Sequence, residues 1–187
     1  MGEHDFDVLI VGGGLSGLSA AIFTARANLR TLVFDKGEST IAKVSMVNNY
    51  LGFPEGIPGA ELVARGRAQA ARFGARLSTE RVEELRADAG GFTVRTESGE
   101  QFHAPRVIIA SNKNVKAATD LGLKLEGFKN RFIHHDGGGR TPVKNVYVCG
   151  RITEVPSQSS IAVGDGAAAA LTLISDLKGE YYVDHDD

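Results

Sequence analysis

The 187 residues carry a formal net charge of -2, with 42% hydrophobic and 24% charged side chains, the proportions of an ordinary soluble globular domain with enough chain to bury its own core. That balance argues against a polyanion-binding protein: no cluster of Lys and Arg is dense enough for nucleic acid, and the 9 Phe and 4 Tyr are not interleaved with basic residues. No run of about 18 apolar residues predicts a membrane span, the acidic start MGEHDFD lacks a secretory apolar core, and the single cysteine, Cys149, leaves no internal disulfide and no C-x-x-C pair; a cytoplasmic address, with no membrane or nucleic-acid partner, is the expectation.

In chain order, Val8 to Val11 is a continuous apolar run, the mark of a strand buried on both faces. Three glycines break it, and from Leu15 the apolar positions Leu18, Ala21, Ile22 and Ala25 recur at helical spacing until Ala27 and Asn28. Thr31 to Phe34 is a second buried run that closes at Asp35, completing a βαβ unit. A stretch rich in Gly, Pro and Asn follows, then a helix from Gly59 to Gly74 and a strand at ARLST. RVEELRAD, GFTVRTES and EQFHAP alternate and are separated by AGG and SG, which predicts a three-stranded meander over about 82–104. RVIIA and KNVYVCG return to the buried-strand pattern, joined by the polar connection SNKNVKAATD, and Ser159 to Leu177 is an Ala-rich helix before the tail KGEYYVDHDD. The fold class predicted is α/β: a Rossmann-type parallel sheet with helices on both faces plus a small antiparallel β-meander, in a single domain over 1–187.

Gly12-x-Gly14-x-x-Gly17 follows an apolar strand and opens a helix, and Asp35 stands at the tip of the second strand about 20 residues on, the context that a dinucleotide fingerprint requires. Gly12 permits the tight turn, Gly14 the backbone approach to a pyrophosphate, and Gly17 the close packing of helix on strand. The helix N-terminus then offers free N–H groups and a favourable dipole to the phosphates. Asp35 accepts from ribose hydroxyls and disfavours a 2′-phosphate, so NADP is not expected at this site. The competing reading is a glycine turn with no ligand.

An NAD domain would continue βαβ after the second strand, whereas this chain inserts a meander. VGGGLSGLSAA, NNYLGFPEGIPGAEL, RVIIAS, GGGRTPVKNVYVCG and QSSIAVGDGAAAAL follow one another over nearly the whole chain. In these segments and their order the chain resembles the FAD-binding domain of the thioredoxin reductase branch of the two-dinucleotide-binding flavoproteins, a Rossmann-type FAD/NAD(P)-binding domain. It implies FAD as the cofactor and assigns roles by position. Gly12, Gly14, Leu15, Ser16 and Gly17 would hold the pyrophosphate, with Ala110 and Ser111 near the phosphates; Asp35 would bind the adenosine ribose with Lys36 beside it, and the Val82 backbone would meet adenine. Asn48 and Asn49 would lie beside the flavin, Gly150 and Arg151 at the ribityl turn, and the backbone amides of Gln158, Ser160, Ile161 and Ala162 would face the flavin pyrimidine.

Two departures matter. Arg151 stands where the family carries an Asp, with Asp165 nearby in sequence. No NADPH-binding domain, and no redox C-x-x-C, lies between RVIIAS and GLKLEGF; the chain resembles the small single-FAD-domain relatives of thioredoxin reductase more than the full reductases, and their ends resemble SDLKGEYYVDHDD. The resemblance implies an FAD-dependent oxidoreductase fed by free NAD(P)H or by a redox partner protein, and a homodimer; the alternative is a flavin-binding sensor or electron-transfer module without turnover. Cys149 reads as a buried hydrophobe, His103 as exposed, and His134, His135 and Asp136 as structural or solvated, with no metal. The four arginines of RGRAQAARFGAR read as a solvated helix face.

Overall fold

The structure, a computed structural model, describes residues 4–184; the first three residues and residues 185–187 of the tail lie outside it. In chain order the elements are β1 (Val8–Val11), α1 (Leu15–Arg26), β2 (Thr31–Phe34), a 3-10 turn (Thr40–Lys43), α2 (Gly59–Arg72), β3 (Arg76–Ser78), β4 (Val82–Asp88), β5 (Gly91–Thr96), β6 (Gln101–Ala104), β7 (Val107–Ile109), α3 (Lys116–Asp120), β8 (Leu125–Glu126), β9 (Phe132–Ile133), β10 (Val146–Val148), a second 3-10 turn (Gly150–Thr153) and α4 (Ser159–Lys178). The main sheet runs β10-β7-β1-β2-β3 with every pair parallel. Every residue of β1 and β2 is buried, as their unbroken apolar runs predict.

Alternate residues of β1 face opposite sides of the sheet. Val8 and Ile10 pack with Leu18 and Ala21 of α1, Val63 and Ala70 of α2, and Leu173 of α4. Leu9 and Val11 pack with Leu85, Phe92, Val94 and Phe102 of the β4-β5-β6 meander and with Ala117 and Ala118 of α3. The three long helices therefore share one face. The other is closed by the meander and one short helix, the Rossmann-type α/β arrangement expected.

The connection after β7 holds more structure than its polar sequence predicts. It contains α3 and the β8–β9 hairpin, whose tip places Lys129 and Asn130 at φ 61° and 50°. Two-residue strands show no periodicity to read. At the foot of that hairpin His134 pairs with Glu126 through Nδ1 and Oε1 at 2.7 Å. Asp136 instead accepts from the amides of Gly138 and Arg140 and from the Arg140 guanidinium. Among the described residues no group of His, Cys, Asp and Glu could hold a metal.

The helix α4 is 20 residues long with a mean hydropathy of 1.3, enough by length and composition to cross a membrane. In the fold its small residues pack on α1: a Cβ on Gly166 would lie 2.0 Å from the carbonyl oxygen of Ser16, and Ser19 Oγ donates to Val163 O at 2.7 Å. Its far end is tied down where Arg140 forks onto Asp176 at 2.8 Å through both Nε and Nη2, and the Tyr147 hydroxyl donates to the same carboxylate at 2.8 Å. Burial, helped by that carboxylate, pushes the Tyr147 hydroxyl pKa well up, so it stays a donor.

Candidate nucleotide-binding site

The ends of β1, β7 and β10 meet at one edge of the sheet. Ala110 N–H donates to Val11 O at 2.8 Å and Cys149 N–H to Ile109 O at 3.1 Å, which brings Gly12, Ala110 and Gly150 to one line. Because β1 sends its helix toward β2 while β7 and β10 lie on its other side, this is the topological switch point at which open α/β sheets bind ligands. Gly12 has φ +114°, and a Cβ there would stand 2.5 Å from Ala110 O; a Cβ on Gly17 would stand 1.9 Å from Gly12 O. Both glycines are required by close backbone approach. Gly14 differs: an added Cβ would meet only Ser39 Oγ, at 3.5 Å. The space over the α1 N-terminus is open.

Gly14 makes no side-chain cap bond, and the first helical acceptance is Leu18 N–H to Gly14 O at 2.9 Å. The amides of Leu15, Ser16 and Gly17 therefore have no partner within the helix, an arrangement able to cradle an anion. Gln158 likewise precedes α4 without a side-chain cap, so Ser160 and Ile161, both exposed, carry free amides in the first turn; the other two amides expected at the flavin are taken, Gln158 N–H by Pro156 O at 2.8 Å and Ala162 N–H by Gln158 O at 2.9 Å. Asn49 Nδ2 donates to Gln158 Oε1 at 3.0 Å, joining two of the predicted flavin-side residues across 109 positions. Asn48 turns instead toward Gly56, where an added Cβ would lie 2.6 Å from its Oδ1.

At the other end, Lys36 pairs with Glu38 at 2.5 Å, and Arg81 reaches Glu38 at 3.8 Å. This brings Val82 and the start of β4 beside the loop after β2. Asp35 is buried and committed: its Oδ1 accepts from Gly37 N–H at 3.0 Å, and its Oδ2 accepts from Arg67 Nε at 3.2 Å and Nη2 at 2.7 Å. The solvated helix-face reading of RGRAQAARFGAR therefore holds for the exposed Arg65 and Arg72, and is wrong for Arg67 and for Arg76, which is exposed but opens β3 rather than lying on the helix. The spacing carried the missed signal. Arg67 lies four residues after Val63 and three before Ala70, both buried, on the stripe where a cation needs a partner.

Ser111 Oγ turns back onto Asn114 O at 2.5 Å. Beside it Asn112, at φ 58°, has a buried Oδ1 with no hydrogen-bond partner among the described residues, an acceptor at the cradle edge that sequence reading did not single out. Gly150, at φ +77°, packs so closely on α1 that a Cβ would lie 2.3 Å from Ser16 Oγ. Its N–H donates to Asp165 Oδ2 at 2.5 Å. Arg151 is exposed and turns away, its Nη1 donating to Ser157 Oγ at 3.2 Å. The carboxylate at this turn comes from Asp165 of α4, not from position 151.

Cys149 is fully buried between these groups. Burial, reinforced by Asp165 and opposed by Ser16, pushes its thiol up to about 12. The folded protein holds the proton to a higher pH than the unfolded chain, so this group's contribution is intact below the unfolded value of about 8.5 and is lost as pH rises from there toward the folded value. Chemical denaturation between pH 8 and 10 is expected to show stability falling with pH, with a shallower fall in Cys149→Ala. Identical slopes in the two proteins would refute the assignment. The same burial predicts no alkylation by iodoacetamide until the chain unfolds.

Residues 7–46 match the FAD binding domain family. The chain is 40% identical over 117 residues to a bifunctional thioredoxin reductase/thioredoxin of Mycobacterium leprae, covering 61% of this chain and 25% of that protein. It is 30% identical over 173 residues to a thioredoxin reductase of Treponema pallidum, covering 81% and 54%. The chain thus spans about half or less of the curated relatives it matches. Among solved structures, the atypical thioredoxin reductase TRi of Desulfovibrio vulgaris Hildenborough superposes with a TM-score of 0.84 at 24% identity, over 93% of this chain and 98% of the other; the thioredoxin reductase of Gloeobacter violaceus does so at 0.86 and 18%, over 99% of each. The family match and the relatives indicate FAD as the cofactor, and the residues present fit it: an uncapped, glycine-lined helix start for a diphosphate and a second uncapped helix start bridged to Asn49.

Proposed function

Because the chain is related to the FAD-binding part of the thioredoxin reductases, we propose that it is a flavin-dependent oxidoreductase that uses this single glycine-lined edge to hold FAD. The observation that carries the reading is the pair of uncapped helix N-termini, of α1 and α4, opening beside the glycine-lined strand ends. Gly12, Gly14 and Gly17, with the amides of Leu15 and Ser16, bind the diphosphate. Ala110 and Ser111 bound the same end of the cradle. Asp35 takes the ribose, Lys36 lies beside it, and the Val82 backbone takes adenine. Gly150 and Arg151 form the ribityl turn, and Asp165 supplies the carboxylate there. Asn48 and Asn49 border the flavin ring, and the Asn49–Gln158 bridge fixes that loop. The free α4 amides of Ser160 and Ile161 face the ring and stabilise negative charge on it. When bound, FAD supplies the electron transfer itself.

The short connection between β7 and β8 carries no second dinucleotide fingerprint, and the 187 residues contain one cysteine. These facts support electrons arriving from freely diffusing NAD(P)H or from a redox partner protein, with no disulfide-active pair in this chain. The resemblance to thioredoxin reductases supports a homodimer in the cytoplasm. Purified protein incubated with FAD and desalted is expected to keep flavin absorbance near one equivalent per chain; a colourless protein overturns the reading. Anaerobic stopped-flow mixing with NADH and with NADPH then identifies the donor. Bleaching by either assigns a nicotinamide, and bleaching by neither favours a partner-dependent enzyme or an electron-transfer module without turnover.

A further inference from the structure

With a flavin nucleotide bound at this edge as proposed, the premise on which the assignment rests, the Asp35–Arg67 pair decides how its ribose is recognised. A carboxylate offers about four acceptor positions, two on each oxygen. On Asp35, Oδ2 receives both Arg67 Nε, at 3.2 Å, and Nη2, at 2.7 Å, while Oδ1 receives Gly37 N–H at 3.0 Å. Three positions are filled and one remains, on Oδ1. Arg67 Nη2 also donates to Asp35 O at 3.1 Å, so the guanidinium grips side chain and backbone together and fixes the carboxylate plane. Gly13 closes over the same group: a Cβ there would stand 2.2 Å from Asp35 Cβ and 2.7 Å from Oδ2. The side chain is only 7% exposed.

We propose that Arg67 is a positioning residue: it commits Oδ2 and leaves Oδ1 as a single acceptor, so the site recognises one ribose hydroxyl rather than the 2′,3′-diol. A free carboxylate at this strand tip would take both hydroxyls, one on each oxygen. Arg67 removes that option.

Calorimetric titration of the whole protein with ADP, 2′-deoxy-ADP and 3′-deoxy-ADP tests this. In the unmodified protein, losing one hydroxyl is expected to weaken binding about tenfold and losing the other less than about twofold, the contrast between a charge-assisted hydrogen bond and none. Arg67→Lys keeps the charge but not the two-pronged fork, and Arg67→Ala frees Oδ2 altogether. In both, the two deoxy analogues are expected to bind within about twofold of each other. Melting of the ligand-free variants reports folding, and if Arg67→Ala does not fold, Arg67→Lys carries the test. A merely structural brace between α2 and β2 would weaken all three nucleotides alike. The inference is overturned if the unmodified protein loses equally with both analogues, or if the folded variants keep its asymmetry. Failure to bind either ADP or FAD instead overturns the flavin-nucleotide reading itself.

Discussion

Gly14→Asp is expected to abolish flavin retention in a protein that folds as well as the original. Gly14 sits at φ -74° and ψ -172°, ordinary extended backbone that any residue adopts. A side chain there meets only Ser39 Oγ, 3.5 Å from the added Cβ. An aspartate at this N-cap position would bond the free amides of the first turn and add a few tenths of a kcal/mol relative to glycine. Its charge, however, would occupy the cradle. Two like charges about 4 Å apart at an effective dielectric of about 20 repel by about 4 kcal/mol, roughly a thousandfold in affinity. Gly14→Ala separates charge from bulk: it is expected to bind far better than the aspartate. Desalting after FAD incubation reads retention, and thermal melting of the ligand-free proteins reads folding. A folded Gly14→Asp protein that keeps its flavin would remove the α1 N-terminus from the binding site.

Gly17→Val is expected to act in the opposite order, on the fold first. A Cβ at 17 would lie 1.9 Å from Gly12 O, 3.0 Å from Gly12 C and 3.3 Å from Ala110 Cβ. Two of those atoms are backbone of the turn that leaves the central strand β1 and cannot easily give way. The helix must lift instead, uncovering Leu18, Ala21 and Ala25, all now buried. Overpacking of this kind costs about 3 kcal/mol or more, a fall in Tm of about 6–12 °C for a domain of this size. Flavin retention is lost with it, because the first-turn amides move with the helix. A ligand-free melting point within about 2 °C of the original would show that α1 does not press on the Gly12 turn.

These two glycines mark where sequence was informative and where it stopped. The GGGLSG turn was readable because a strand, a turn and a helix leave three different signatures within one short stretch, and the first two strands and the four-residue runs that define them were placed at their observed limits. The long helices were legible for the same reason. What could not be read are contacts between side chains far apart in the chain. Asn49 and Gln158 meet across 109 residues, and Arg67 meets Asp35 across 32. Each is an exposed-type side chain whose partner only the fold supplies. Asp165 is the intermediate case: its closeness to position 151 was visible in sequence, but not that it receives the Gly150 amide. The β8–β9 hairpin escaped because its strands of two residues each are too short to alternate.

The contact of α4 with α1 has a consequence for how the chain acquires its site. Ser19 and Val163 are 144 residues apart, yet the cradle formed by residues 12 to 17 is walled by Gly150 and Gly166. The N-terminal βαβ unit is local, but one flank of its helix is covered only by α4. Contacts that close loops this long come late, because their entropy must be met before they stabilise anything. The nucleotide site therefore exists only in the fully folded chain. FAD, which needs the completed edge, adds its binding free energy to the native state alone.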